Sequence, residues 1–335
     1  YPWSLGLEER AENDTRAPHV AAAGPLLSTV DHWLNLPAER QFTYLHDEAS
    51  AQAAVASLKA SGARFVKVWF IVDNDAEVAK LEPLVRAAGD AARAAGLPLI
   101  VHATGLAQAK GALRAGAHLL VHSVWEQPID QEFLDLAKTS GAIYCPTLTV
   151  ESGYLRLFKA IAAGKAPEID DPGHCVDAQT RAHVAESATL GADILKGRDL
   201  AVAAKRSAEH SRWAAENLMR VQAAGIPIAM GTDAGNPLTF QGPSVYAEME
   251  AMQAAGLSPK QVLLAATRGG AKAMGREKDL GTLEAGKQAD LLVLDADPLL
   301  DIKALRRLRY VVRGGEVRPA AELRAADAPA ARPKP

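Results

Sequence analysis

Residues 92–105, ARAAGLPLIVHATG, hold an alanine-rich helix end, a glycine, a short apolar strand and a histidine. Gly96 follows the helical run, and a glycine just past a helix end accepts the left-handed backbone that other residues resist. The same order returns in residues 58–70 (LKASGARFVKVWF), 113–123 (LRAGAHLLVHS), 137–147 (AKTSGAIYCPT) and 221–235 (VQAAGIPIAMGTDAG). Strands alternating with helices predict parallel βαβ units, hence an α/β fold. The strands are expected at residues 65–71, 99–102, 119–122, 142–145 and 227–232, with a short earlier one over 19–24. In a parallel barrel the strands end on one face, where catalytic groups collect. Lys67, His102, His122 and Asp233 are expected at those ends, and Pro146-Thr147 closes the remaining strand. Two imidazoles, a carboxylate and an amine delivered to one place predict a metal site.

With 335 residues, 48% hydrophobic and 23% charged, the chain suffices for one large α/β domain, a barrel of this class needing roughly 250 residues. A net charge of -3 with mixed signs and an aromatic content of 5% leave no footprint for nucleic acid or an acidic membrane. No apolar run approaches the ~20 residues of a membrane span. Cys145 and Cys175 lack CxxC partners and read as free thiols rather than a disulfide. The first residue is Tyr1 rather than Met, so cytoplasm and bacterial periplasm both stay open.

Helices are expected over 47–60, 76–95 (kinked or split at Pro83), 106–115 and 130–139. The connection from Thr147 to about Gly225 is much longer, and insertions of that size at a barrel's catalytic face shape substrate access. Helices over 245–255 and 259–273 follow. A strand within 279–297 and a hairpin around Arg313-Gly314-Gly315 then predict a small separate β-module. The expected limits are a partial barrel over 1–276, part of a β-sandwich over 277–318, and a disordered tail over 319–335 rich in Ala and Pro. A GxSxG elbow, a P-loop and a strand-linked GxGxxG are all absent from the sequence.

Lysine in GARFVKV, histidines closing LIVH and LLVH, aspartate in GTDAG and the coda LGTLEAGKQADLLVLDADPL (280–299) together resemble the amidohydrolase superfamily. The subgroup is similar to imidazolonepropionase-like and prolidase-like metallohydrolases, and the likeness covers residues 18 to 317. The resemblance implies a (β/α)8 TIM-type barrel beside a small β-sandwich. It also implies two divalent metal ions, expected as zinc, bridged by a carboxylated Lys67 and held further by His102, His122 and Asp233. The implied reaction is cleavage of amide, peptide or cyclic amide C–N bonds by a metal-bound hydroxide, with Asp233 as proton shuttle. The implied partner is a small molecule or dipeptide, and a homo-oligomer is compatible with it. Two other readings stay open: a non-catalytic truncated homologue serving as a binding or scaffold subunit, and a mononuclear deaminase of the same superfamily. Lys67 argues against the deaminase.

The chain departs from that family in one respect. Members carry a His-x-His pair at the end of the first barrel strand, and none of the nine histidines here forms one. About six strands are expected rather than eight. A missing N-terminal segment is therefore expected to complete the barrel, and the present chain alone to bind metal weakly.

Each candidate also has a plainer reading. Lys67 could reach water at a strand end, His102 and His122 could be satisfied core histidines, and Asp233 could cap a turn. Trp69, Thr104, Ser123, Tyr144, Thr147 and Asn236 stand near strand ends, where packing or capping explains any one of them. Trp69, Thr104, Tyr144 and His174 are the substrate-binding candidates, His174 as part of a lid. His118 reads as structural, and His183 and His210 as solvated helix residues.

Overall fold

The computed structural model describes residues 6–31 and 42–325. His32 and the later part of the irregular segment up to Pro37 lie outside the described residues, as does residue 326 onward. The chain divides into two compact units. The first comprises Tyr1–Pro146, Glu216–Ala229 and Thr267–Gly281; the second comprises Thr147–Ala215, Met230–Ala266 and Thr282–Pro335.

Among the described residues the first unit holds, in chain order, helix α1 (Leu7–Glu12) and strands β1 (Leu26–Ser28) and β2 (Phe42–Tyr44). It continues as α2 (Glu48–Ala60), β3 (Val66–Trp69), α3 (Asp75–Ala94), β4 (Leu99–His102), α4 (Leu106–Arg114), β5 (Leu119–Val121), α5 (Gln131–Ser140) and β6 (Ile143–Cys145). All six strands are parallel, in the order β2-β1-β3-β4-β5-β6. The α/β alternation is as expected. Among the described residues the sheet does not close on itself. Two strand assignments change. Residues 19–24 are not a strand, and the pairing falls instead on Leu26–Ser28 and Phe42–Tyr44. The run at 227–232 contributes only a parallel bridge, Tyr144 to Ile228. Short apolar segments are placed by which neighbour offers free backbone groups, a property that residue type does not record.

Local chemistry sets the helix starts. Asp47 accepts from the Ser50 amide at 2.7 Å, and the Asp47 amide donates to Ser50 Oγ at 3.1 Å, a reciprocal cap. Asp130 accepts from the Phe133 amide at 3.0 Å, and Asn74 from the Ala76 amide at 3.0 Å. Pro83 stands inside α3 without ending it, so the helix is not split there. Neighbouring helices α2 and α3, α3 and α4, and α4 and α5 pack side by side.

The sheet has two unlike faces. Val66, Val68, Leu99, Val101 and Leu120 are fully buried. The alternate residues Lys67, Trp69, Ile100, His102 and Leu119 are only half-buried. A strand's period of two separates these sets cleanly. Tightness on the packed side is visible at Gly89 in α3, where an added Cβ would stand 2.1 Å from the Ala115 carbonyl oxygen. Alanine is the better helix former by about 1 kcal/mol. Overpacking nevertheless outweighs that gain, so Gly89→Ala is expected to lower stability by roughly 1–3 kcal/mol, read from urea midpoints. A raised midpoint would refute the close approach.

The second unit holds α6 (Val150–Ala162), α7 (Ala178–Glu186), the first part of α8 (Leu200–Ala223), α9 (Ser244–Ala254) and α10 (Pro259–Leu264). The helix expected over 259–273 is interrupted by a π turn at Ala265–Gly269. Strands β7 (Leu291–Leu294), β8 (Leu308–Arg313) and β9 (Glu316–Pro319) form an antiparallel sheet whose β8–β9 hairpin turns at Gly314-Gly315, as expected. The segment read as disordered from Pro319 instead ends β9 and continues as a 3-10 turn, Ala320–Leu323. The Ala325 amide then donates to the His174 carbonyl at 2.8 Å. His210 is not solvated either: its Nδ1 lies 3.0 Å from Glu151 Oε1 with the side chain 15% exposed.

Candidate metal centre

In the first unit, register decides which side chains meet. Trp69, His102 and Val121 share one rung of the sheet, and Lys67, Ile100 and Leu119 the rung two residues before it. Lys67 is thus the second residue of β3 rather than its last, a correction to the expected strand end. The offset is about 6.6 Å at ~3.3 Å per residue, a distance the long lysine side chain spans. His122 follows Val121, so strict alternation would send it to the opposite face. A φ of +80° breaks that alternation. The His122 ring consequently meets His102, with centroids 4.6 Å apart and planes at 77°.

The electrostatics agree with the geometry. Burial first, and the Lys67 charge second, push the His102 imidazole down to about 3. Burial, then His102, then Lys67 hold His122 well below its ordinary value. Both imidazoles are therefore neutral at pH 7, the state in which they bind metal. His102 Nδ1 is buried with no hydrogen-bond partner among the described residues, which for a ring nitrogen carries a free-energy cost of about 1–3 kcal/mol. Among the described residues no group of three or more His, Cys, Asp and Glu side chains is arranged to hold a metal. The donors gathered in this unit are two neutral imidazoles and one amine, so an oxygen donor has to come from a modified Lys67 or from a carboxylate brought to it. With that addition, the orphaned nitrogen and the neutral rings fit a divalent cation.

Aromatic side chains flank the pair. Trp69 stands edge-on to His102 with centroids 5.6 Å apart, and stacks on Phe42 at 4.8 Å and 11°. Trp125 lies 6.3 Å from the His122 ring and was not anticipated. Thr104 accepts from the Trp125 amide at 3.3 Å through its carbonyl oxygen. Tyr144 is a correction: it shares a rung with Leu120, on the packed side, is 2% exposed and faces Phe133 at 6.4 Å. One step of strand parity separates it from the histidine face. His118 is structural as expected, its Nε2 lying 3.1 Å from the Ala273 carbonyl oxygen.

Asp233 and His174 belong to the second unit. Asp233 has φ +54°, and Asn236 Nδ2 donates to its Oδ2 at 2.7 Å and its carbonyl oxygen at 3.0 Å. Tyr154 Oη donates to Asn236 Oδ1 at 2.9 Å, so a tyrosine from α6 orients the amide that holds the aspartate. His174 is exposed with φ +53° and borders an open cavity of about 580 Å³ with Arg156, Glu168 and Asp170.

A second residue not anticipated is Glu248 on α9, fully buried. Its carboxylate accepts from the Leu148 amide at 2.8 Å, the Thr149 amide at 3.1 Å and Thr149 Oγ1 at 3.0 Å. These donors favour the charged form, but burial is the larger effect and pushes the group from 4.5 up to about 7. The folded state therefore holds this proton more tightly than the unfolded chain. Its contribution is complete below pH 4.5 and is lost as pH rises through about 7. The size is on the order of 3 kcal/mol at ~1.4 kcal/mol per unit. Wild-type urea midpoints are expected to fall over that window, and those of Glu248→Gln to stay flatter; equal slopes would remove Glu248 as the cause.

Residues 41–318 match the Amidohydrolase family. This chain belongs to that family. Among the curated relatives of this amidohydrolase, a 5-methylthioadenosine/S-adenosylhomocysteine deaminase of Moorella thermoacetica is 36% identical over 107 residues, covering 28% of this chain and 24% of the relative. An imidazolonepropionase of Shouchella clausii is 37% identical over 98 residues, covering 28% of this chain and 22% of the relative. The matched stretches thus span about a quarter of these relatives. Among solved structures, a Xaa-Pro dipeptidase with bound methionine superposes with a TM-score of 0.67 at 22% identity, covering 94% of this chain and 72% of the other. Ochratoxinase of A. niger gives 0.66 at 19%, covering 94% and 70%. These likenesses bear out the amidohydrolase resemblance and the fold.

Proposed function

We propose that the whole protein is a hydrolase of C–N bonds dependent on divalent metal, with Lys67, His102, His122 and Asp233 as metal-holding residues. The observation that carries this reading is the meeting of two neutral imidazoles beside Lys67 on the half-buried face of the sheet. A carbamate formed by the Lys67 amine and carbon dioxide, with loss of a proton, supplies the missing oxygen donor. Two zinc ions are the proposed complement. When bound, the metal polarises a carbonyl oxygen and lowers the pKa of water.

The chain's own residues do the rest. Asp233, fixed through Asn236, takes a proton from the attacking water and returns it to the departing nitrogen as the C–N bond breaks. Trp69 and Thr104 border the substrate, with Trp69 offering a flat apolar wall to it. His174 covers the open site as part of its lid. Amides, Xaa-Pro dipeptides and cyclic amides are the proposed substrate classes.

The test is elemental analysis of the purified protein, with turnover measured on N-acyl amino acids, dipeptides, lactams and 6-aminopurine nucleosides. Metal-dependent hydrolysis of any amide supports the reading. Release of ammonia from the purines alone favours the deaminase. Metal-free protein without turnover in the presence of added zinc and bicarbonate favours a binding subunit and ends the proposal.

A further inference from the structure

The loop that leaves His122 is held from a helix almost a hundred residues later in the chain. Asn217, on α8 and 0% exposed, donates from Nδ2 to the Val124 carbonyl at 2.7 Å and to the Gln127 carbonyl at 2.8 Å. Its Oδ1 accepts from the Ile129 amide at 2.9 Å. One turn further on, Arg220 donates to the Ile129 carbonyl at 3.1 Å. The loop's start is tied separately, since the Ser123 amide donates to the Pro146 carbonyl at 3.1 Å. Its middle is tied at Trp125 to Thr104, two residues past His102.

This arrangement matters because His122 occupies φ +80°, which a histidine keeps only where its surroundings over-determine it. Two buried backbone groups of the loop, the Val124 carbonyl and the Ile129 amide, have Asn217 as partner, as does the carbonyl of the exposed Gln127, and buried peptide groups tolerate no vacancy. We infer that Asn217 is a positioning residue for the centre: by clamping Val124–Ile129 it fixes the unusual His122 backbone and sets Trp125 beside the imidazole. The inference rests on the proposed metal-holding role of His122, and deepens it. The buried residues nearest Asn217 on this helix, Ala214, Leu218 and Val221, are apolar, and what sets the amide apart from them is its three hydrogen bonds to the loop.

The test compares Asn217→Leu with Leu218→Ala, a buried neighbour whose side chain has no group to hydrogen-bond the loop. Three quantities are read on the full chain: amide exchange of residues 123–129 without metal, the ring-proton shifts of His122, and affinity for Co(II). Asn217→Leu is expected to speed loop exchange at least about tenfold while Ile143–Cys145 stays protected. It should move the His122 ring signals and weaken Co(II) about 10- to 100-fold. Leu218→Ala should lower the melting temperature and leave all three within about twofold. Faster exchange with unmoved His122 signals makes Asn217 a mere loop anchor and overturns the inference, as does unchanged exchange. If wild-type protein binds no Co(II), the metal reading falls, and the His122 shifts still decide the clamp. Should Asn217→Leu fail to fold, Asn217→Ser is measured by the same criteria.

Discussion

Replacing His102 by alanine is expected to lower affinity for divalent metal by more than about 100-fold, beyond what loss of an outer hydrogen-bond partner does. The reason lies in the ring's surroundings. His102 is held neutral, its pKa pushed down to about 3, and its buried Nδ1 has no partner among the described residues. Burial of such a nitrogen is unfavourable unless something occupies it. His118→Ala, which removes a ring bound to a backbone carbonyl, should leave metal content as it was. Elemental analysis of the two variants decides the matter, and equal metal content in both would dismiss His102 as a ligand. Lys67→Ala should resemble His102→Ala, with the further mark that added bicarbonate no longer raises wild-type-like occupancy.

The second large effect is on turnover. Asp233→Asn should cut kcat by about 10²- to 10⁴-fold, the range for loss of a positioned proton-transfer group. The amide keeps a neutral oxygen and the side chain's shape, so the loop built by Asn236 and Tyr154 should persist. Near-normal turnover by Asp233→Asn would remove it from proton transfer. Tyr154→Phe gives a milder companion, because it frees Asn236 without touching the carboxylate.

Much of the fold could be read from residue order. Glycines after alanine-rich runs marked the helix ends, and Asp47 and Asp130 marked helix starts that the structure uses as caps. The histidine pair was legible for a similar reason, since LIVH and LLVH repeat one pattern in consecutive βα units. Tyr144 was misread because strand parity, which residue type does not encode, puts it on the packed face. The strand Phe42–Tyr44 was missed because three residues carry too little periodicity to be seen. Asn217 left a faint signal, a lone amide on the buried stripe with Leu218 and Val221, but its partners lie about ninety residues away.

By itself, then, the order of residues determined the α/β class, the parallel strands, the hairpin at Gly314-Gly315 and the residue types available for chemistry. These depend on period, capping and turn preference, all of them local. Only the tertiary structure decided that His122 turns against strand alternation to face His102, that Lys67 stands two residues back along the same strand face, and that Glu248 and Asn217 secure loops far along the chain. Such placements arise from buried peptide groups and charges seeking partners across the fold, and that demand exists only once the chain has closed around them.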